Sequence, residues 1–382
     1  MIAKKTSTIA LLAFVGGTLF FAAYLASLAL PKQDFTGFWS AAHLASRNPY
    51  SLPLVTAFDR SRGIFTADPA IIKNPPWTLL FLLPLSPFNY EIAFALWLVF
   101  EVVAILVCAR AIWNLYSPPS SAALFLPLCF GPTIVLLMLG QLDALVLVGI
   151  TLFLVMAERR QDWAAGASTL LILTKPHVVV LFLLAMALWI VRSRRWTILW
   201  SSLLATAASS ISVLAINPHI FAEFLERTRE YGRETQRYSN LGGIIDCIQG
   251  SHILGFLPMF IGLVWLLLFW RKHRSAWDWK KEGMTVLIVS VVCSYYSFPY
   301  DEILVLPALI AAYATGNRRV FLLCFIATNL GYALYLFNIA GRLGFNYMFL
   351  AWTGSGWLIT FFFALKPRLR EPATISNSVS RA

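Results

Sequence analysis

Charged residues are scarce in this sequence. They make up 13% of its 382 residues, whereas 59% are hydrophobic and 15% are aromatic. A soluble domain carries roughly one-quarter charged residues, so this composition excludes a water-soluble fold. The mean hydropathy is +0.72, and the 14 tryptophans suit positions at headgroup depth. The sequence therefore predicts an all-α, polytopic membrane protein.

Several catalytic motifs are also missing. The sequence has no GxxxxGK(S/T) loop, no HExxH helix and no glycine-rich dinucleotide fingerprint. None of the five cysteines forms a CxxC pair, so no disulfide framework or zinc site is indicated. ATP hydrolysis and zinc proteolysis are therefore poorly supported, and we expect no cofactor and no metal. One carboxylate beside a substrate phosphate would hold Mg²⁺ or Mn²⁺ only weakly.

The net charge of +12 would suggest nucleic acid as a partner of a soluble protein. Here the basic residues stand in short clusters beside apolar runs, as cytoplasmic loops do under the positive-inside rule. The clusters lie at residues 4–5, 192–195, 271–281, 318–319 and 366–370. Topology explains the charge. We expect contact with membrane lipids and not with nucleic acid, a location in the inner (plasma) membrane, and both termini in the cytoplasm.

Apolar runs recur along the chain at the ~20-residue length that crosses the hydrocarbon core. They predict about twelve spans, the first of them a retained helix at residues 7–30. We assign residues 1–370 to one transmembrane domain and residues 371–382 to a cytoplasmic tail. Two polar stretches, residues 31–74 and 217–252, are predicted as larger exoplasmic loops. Large loops on one face are where a functional site is expected.

The topology of residues 75–191 is ambiguous. Lys175-Pro176 breaks the run between the basic clusters near residues 158 and 195. If both clusters are cytoplasmic, two short helices meet near Lys175, which then lies toward the exoplasmic side with the Gly140–Asp143 turn. The alternative is a single span with Lys175 buried. We favour two helices, because an unpaired lysine at mid-membrane is costly.

Asp34 is placed a few residues after the predicted first span, at the depth of a lipid-linked phosphate. A carboxylate there can accept a proton from an incoming hydroxyl, and a low dielectric raises its basicity. The alternative is an N-cap of the helix that carries Trp39, since aspartate is a favoured cap. Local spacing slightly favours the cap. His43 lies nine residues further on, so a shared helix would point it away from Asp34.

Other polar residues interrupt apolar runs. Lys175 and His177 flank a helix break, where two donors can clamp a phosphate, although a snorkelling lysine is an equally good interpretation. Tyr300 and Asp301 form part of a polar island and could bind sugar hydroxyls, although Asp301 is as well suited to cap the following helix.

Short motifs in a fixed order resemble a known family. They are Asp34, Phe38-Trp39-Ser40-Ala41-Ala42, Asn48-Pro49-Tyr50, Asn74-Pro75-Pro76, Pro84-Leu85, Gly140-Gln141, Ala165-Gly166, Lys175-Pro176, Ser239-Asn240-Leu241-Gly242-Gly243 and Phe298-Pro299-Tyr300-Asp301. This series is similar to glycosyltransferase family 87, whose members resemble polyprenyl-phosphate-mannose mannosyltransferases. Two departures are Arg47, where a small residue is usual, and the late motif Tyr295–Glu302, which often carries histidines.

The resemblance implies a GT-C fold with a first-loop aspartate as the catalytic base, a role that falls on Asp34. We expect an inverting transfer of a hexose, with mannose foremost, from a polyprenyl-phosphate donor to a lipid or glycan acceptor of the cell envelope. Lys175 and His177 are the expected donor-phosphate contacts. The expected sugar or acceptor contacts are Trp39, His43, Gln141, Tyr300 and Asp301.

A transporter or a lipid or glycolipid flippase is the rival hypothesis. It predicts two symmetric halves with broken spans and midplane charges. The candidate residues gather instead on one predicted face, beside two unequal loops. This distribution favours the enzyme.

Overall fold

The computed structural model describes residues 34–65, 70–118, 120, 122–231, 240–249, 253–339 and 347–365. Within these ranges the regular structure is helical, and no strand is present. The all-α prediction is therefore confirmed for them. The predicted first span at residues 7–30, the two termini and the predicted tail at residues 371–382 lie outside the described residues.

The first half of the described chain contains ten helices. They are α1 Phe35–His43, α2 Leu52–Ser61, α3 Pro76–Leu85, α4 Tyr90–Trp113, α5 Ala122–Leu128, α6 Gly131–Leu139, α7 Asp143–Glu158, α8 Asp162–Ala167, α9 Thr169–Ile172 and α10 Pro176–Ser193.

Eight further helices follow in the described ranges. They are α11 Trp196–Ile216, α12 Ile220–Tyr231, α13 Leu241–Gln249, α14 Leu254–His273, α15 Met284–Val292, α16 Leu306–Thr315, α17 Arg318–Ile339 and α18 Thr353–Leu365. Shorter turns at Trp279–Gly283, Asp301–Val305 and Tyr347–Leu350 precede α15, α16 and α18.

Five stretches of the described chain are long and apolar enough to cross a membrane: α4, α10, α11, α14 and residues 318–336 of α17. Two shorter apolar helices, α3 and α18, accompany them. The expected total of about twelve spans stays a prediction. Several predicted runs are instead divided into pieces shorter than a span, because glycine or proline interrupts them, as at Gly131-Pro132, where α6 begins.

The long helices carry large apolar side chains on their outer surface. Trp200 and Ile211 of α11 are 65% and 66% exposed, and Leu323 of α17 is 71% exposed. In water such surfaces would be unfavourable, whereas hydrocarbon solvates them. Together with their length, these faces identify the chain as a membrane protein.

Helix α1 connects the first loop to the helical bundle. Phe35 is fully buried and contacts the rings of Phe94 and Trp97 of α4 at centroid distances of 5.3 and 6.2 Å. The same apolar cluster includes Leu79 of α3 and Leu142. The residue that precedes α1, Asp34, is thereby held against the bundle.

Gly166 allows α8 and α11 to approach closely. A Cβ at this position would lie 1.8 Å from Ser201 Oγ and 2.2 Å from the carbonyl oxygen of Ile198, both on α11. Only a residue without a side chain fits so near a neighbouring backbone, which is the usual role of small residues between membrane helices.

We predict that Gly166→Val separates α8 from α11 and lowers the midpoint of thermal unfolding. Overpacking of this kind costs about 1–3 kcal/mol. Ala164→Val is the matched control, because Ala164 is an exposed residue of the same helix. Thermal unfolding of both variants in detergent checks the expectation. Equal midpoints for the two variants would contradict the close packing.

Candidate active site

The Asp34 side chain reaches into the bundle and does not cap its own helix. It stands at the N-cap position of α1, yet within the described residues it makes no capping hydrogen bond. Its Oδ2 atom instead accepts a hydrogen bond from Nε2 of Gln141, 107 residues further along the chain. The capping alternative from the sequence is therefore wrong, and the carboxylate is available for another role.

Gly140 determines where Gln141 lies. It ends α6 with a φ of 64°, a left-handed conformation that favours glycine. A Cβ at this position would lie 2.8 Å from Cβ of Phe35. The Gly140 carbonyl accepts a hydrogen bond of 3.1 Å from the indole of Trp97. The turn is thus fixed on both sides, and it directs Gln141 toward Asp34.

Burial raises the pKa of the Asp34 carboxyl above its ordinary value. The hydrogen bond from Gln141 and the charges of Lys175 and Lys73 oppose this effect, whereas the charge of Asp143 adds to it. A carboxylate with a raised pKa binds a proton more tightly and is a better general base near neutral pH.

Lys175 lies at the centre of a buried charge cluster. Its Nζ atom is 2.9 Å from Oδ2 of Asp143 and also donates a hydrogen bond to Oδ1 of Asp301. It lies 4.6 Å from the ring centroid of Tyr300, which adds a cation–π contact. The lysine side chain is 7% exposed, and both aspartate side chains are fully buried.

The chain is broken into two helices beside this cluster. Helix α9 ends at Ile172 and α10 begins at Pro176, so the predicted break into two helices is confirmed. The lysine is nevertheless buried, because two carboxylates compensate its charge and no exposure is needed. Lys175 also contacts Asp143, the last residue of the Gly140–Asp143 turn. The exoplasmic position expected for both stays a prediction.

Tyr300 and Asp301 lie in the same cluster. The Tyr300 ring packs against Phe298 at 5.4 Å and covers the lysine. Oδ2 of Asp301 accepts a hydrogen bond of 2.6 Å from the backbone N–H of Phe298, while Oδ1 binds Lys175. Asp301 therefore stabilises the turn that begins at Phe298, and it also compensates the charge of Lys175.

His177 lies beyond the helix break, beside Tyr296, with ring centroids 5.0 Å apart. Its Nε2 atom is buried and has no hydrogen-bond partner among the described residues. Phosphate binding by Lys175 and His177 stays a prediction. Because Lys175 is already paired with two carboxylates, a phosphate would have to compete with them.

Trp39 and His43 belong to a neighbouring aromatic group. The Trp39 indole is 2% exposed and donates a hydrogen bond of 3.1 Å to the Phe88 carbonyl. The His43 ring lies 4.5 Å from the Trp39 ring and 5.0 Å from that of Phe58. These contacts pack His43 against the first loop and hold Trp39 between that loop and the segment before α4. A sugar or acceptor contact by Trp39 or His43 stays a prediction.

The motif asparagines connect the loops to the site. Nδ2 of Asn74 donates a hydrogen bond of 2.9 Å to the Thr174 carbonyl at the helix break. Nδ2 of Asn240 donates one of 2.8 Å to the Ser294 carbonyl, and its Oδ1 accepts another from Gly243 N–H. Both loops are thus attached to segments that border the charge cluster.

Sequence reasoning missed two charged residues of the site. Asp143 is one of the two partners of Lys175, and Lys73 is exposed and acts electrostatically on Asp34. The signal for Asp143 was present: a lysine inside apolar sequence requires carboxylates, and Asp143 opens an apolar helix. Lys73 adjoins the Asn74-Pro75-Pro76 motif, which could have indicated it.

The described residues contain no group of three or more His, Cys, Asp or Glu side chains that could hold a metal ion. The paired carboxylates Asp143 and Asp301 are occupied by Lys175. The expectation that the protein needs no cofactor stays a prediction.

Apolar helices around a buried, charged cluster define a polytopic membrane protein. The family model of glycosyltransferase family 87 matches residues 73–295, more than half of the chain. The chain belongs to glycosyltransferase family 87, and it is an enzyme that transfers sugar. A comparison with curated proteins finds no match, and neither does one with solved structures.

The matched region contains some of the site and not all of it. Gln141, Asp143 and Lys175 lie within it, and it begins at Lys73. Asp34 precedes the region and Asp301 follows it. The match therefore decides between an enzyme and a transporter, and the roles of Asp34 and Asp301 stay predictions.

We predict that Asp34→Asn stabilises the protein above neutral pH. Because the pKa of Asp34 is raised by burial, the ionised form is disfavoured in the folded state. The free-energy cost of ionised Asp34 in the folded protein is fully present above the pKa that Asp34 has in the folded state. It disappears as the pH falls through that value toward the pKa of about 3.9 that an aspartate has in the unfolded chain. Thermal unfolding midpoints of the parent and of Asp34→Asn, measured from pH 8 downward, check this expectation. The difference between the two midpoints should narrow as the pH falls. A variant less stable than the parent at pH 8 would contradict it.

Proposed function

We propose that the protein transfers a hexose, with mannose as the first candidate, from a polyprenyl-phosphate donor to a lipid or glycan acceptor. The reaction takes place at the exoplasmic face of the inner membrane. Asp34 is the catalytic base. The observation that carries the proposal is the Asp34 carboxylate itself: it does not cap α1, and Gln141 holds it beside a buried charge cluster.

The chemistry follows from one base and one leaving group. Asp34 removes the proton of the acceptor hydroxyl as its oxygen attacks the anomeric carbon of the donor sugar. The bond between that carbon and the phosphate oxygen breaks, and polyprenyl phosphate leaves with the electron pair. Attack from the side opposite the leaving group inverts the anomeric configuration.

A lipid-linked donor suits the surroundings of this site. The chain carries no phosphate-binding loop of the nucleotide-dependent kind. A polyprenyl chain can lie along the exposed apolar faces of the membrane helices, such as that of α11. The sugar phosphate then meets Asp34 at the level of the first loop.

Charge favours Lys73 over Lys175 as the cation for the donor phosphate. Two lysines, Lys175 and Lys73, act electrostatically on Asp34. The ammonium of Lys175 is buried between two carboxylates, whereas the Lys73 side chain is exposed. A departing phosphate gains negative charge in the transition state, and a lysine that also acts on the base would stabilise it.

The exoplasmic location rests on the distribution of basic clusters. The segments of Asp34, Gln141 and Lys175 lie together in the structure. The basic clusters at residues 192–195 and 271–281 belong to other helix ends, those that close α10 and follow α14. If these clusters are cytoplasmic, the site faces the other side.

We predict that purified protein transfers radiolabelled mannose from polyprenyl-phosphate mannose to an acceptor in a lipid extract. Asp34→Asn should reduce the rate by about 10²–10⁴-fold, the usual contribution of a general base. Asp59→Asn is the control. Asp59 is a buried carboxylate of the first loop, which also contains Asp34, and it accepts a hydrogen bond from Ser40. Nuclear magnetic resonance of the product should show an inverted anomeric centre.

Two outcomes would overturn parts of this proposal. Equal rates for Asp34→Asn and the parent would remove Asp34 as the base. Transfer from a nucleotide sugar, with none from any polyprenyl-phosphate sugar, would refute the donor class.

A further inference from the structure

The buried charge cluster is carried by three segments that are distant in sequence. Asp143 is the first residue of α7, Lys175 lies between α9 and α10, and Asp301 opens the turn before α16. One ammonium faces two carboxylates, so the cluster has one more acidic group than basic. Oδ1 of Asp143 is buried and has no hydrogen-bond partner among the described residues.

Asp143 is also linked to Gln141, the hydrogen-bond partner of Asp34. Only Leu142 separates the two residues, and this leucine is fully buried. The near end of the turn is held by the hydrogen bond from Trp97 to Gly140, and the far end by the contact of 2.9 Å between Asp143 and Lys175. Gln141 is therefore fixed between two anchors.

From this arrangement we infer that Asp143 is a positioning residue for sugar transfer: by binding Lys175 it fixes the turn that presents Gln141 to Asp34, and its charge acts on Asp34. Lys175 compensates the charge of Asp143 and thereby holds this turn in place. The inference rests on the proposed role of Asp34 as the base. It assigns a role to a residue that touches no substrate.

Charged and titratable groups from four segments act on Asp34 electrostatically. They are Asp143 at the start of α7, Lys175 at the helix break, Lys73 in the first loop and Tyr300 before α16. Gln141 supplies the hydrogen bond. Removal of a negative neighbour favours the ionised form of Asp34, and removal of a positive neighbour disfavours it. Variants of Asp143 and Lys175 should therefore change the base in opposite directions.

The test is the pH dependence of kcat/KM, whose acid limb reports the base of the free enzyme. Asp143→Asn keeps the shape of the side chain and an oxygen that accepts the hydrogen bond of Lys175, so the turn and its Gln141 contact are retained and only the negative charge is lost. The acid limb should therefore move to lower pH. Lys175→Met should move it to higher pH. Asp59→Asn is the control, and its limb should coincide with that of the parent. If the acid limbs of Asp143→Asn and Lys175→Met both coincide with that of the parent, the inference is overturned.

Other roles for these residues give different results. A purely structural role of Asp143 lowers the amount of active protein and leaves the acid limb in place. A phosphate contact by Lys175 raises the KM for the donor in Lys175→Met without moving the limb. Either result contradicts the inference. If Asp34→Asn retains the parent's rate and acid limb, the proposed function itself fails.

Lys175→Met leaves the carboxylates of Asp143 and Asp301 without their counter-charge, so this variant can fail to fold. A second measurement covers that case. The stability difference between the parent and Asp34→Asn narrows as the pH falls. In the Asp143→Asn background the same difference should be smaller and should narrow at a lower pH. An unchanged pH dependence there would overturn the inference without any need for substrate.

Discussion

The ammonium of Lys175 holds together the segments that form the site. It joins the start of α7, the break between α9 and α10, and the turn at Asp301, while the Tyr300 ring covers it. Removal of one partner of a buried ion pair costs about 3–5 kcal/mol, because a charge is left without compensation. The contacts around Lys175 therefore constrain three backbone segments at once, and Asp34 depends on one of them through Gln141.

The loops that contain Asn74 and Asn240 stabilise the segments around this cluster with hydrogen bonds. Asn74 satisfies the Thr174 carbonyl left open by the helix break, and the Trp77 indole does the same for Leu173 at 3.2 Å. Asn240 is attached to the segment that leads into Tyr300. Buried carbonyls without partners are unfavourable, so these side chains make an irregular backbone tolerable at the site.

The sequence was sufficient for the all-helical membrane fold and for the break at Lys175, and it selected Asp34, Gln141 and Asp301, which the structure places in or beside the charge cluster. Hydrophobic periodicity and an intramembrane lysine are local signals, and each has a direct physical meaning. The pairings were not predictable in the same way. The hydrogen bond between Gln141 and Asp34 spans 107 positions, and that between Lys175 and Asp301 spans 126. Only the packing of α1, α7 and α16 decides which of these side chains meet.

The capping error has a similar cause. An aspartate before a helix is a good N-cap by local propensity, and Asp34 does occupy that position. Its side chain turns away because Gln141 offers a charge-assisted hydrogen bond from another part of the chain. A tertiary contact thus replaces the local one, which leaves a half-buried carboxylate beside the charge cluster.

The central claim is that Lys175 serves the fold while Asp34 faces the substrate. A structure of the protein with a non-transferable polyprenyl phosphonate analogue of the sugar donor tests it most directly. We predict the anomeric carbon beside Asp34, the phosphonate at Lys73, and Lys175 still between Asp143 and Asp301. A phosphonate that displaces either carboxylate from Lys175, or a sugar that lies away from Asp34, would contradict the account.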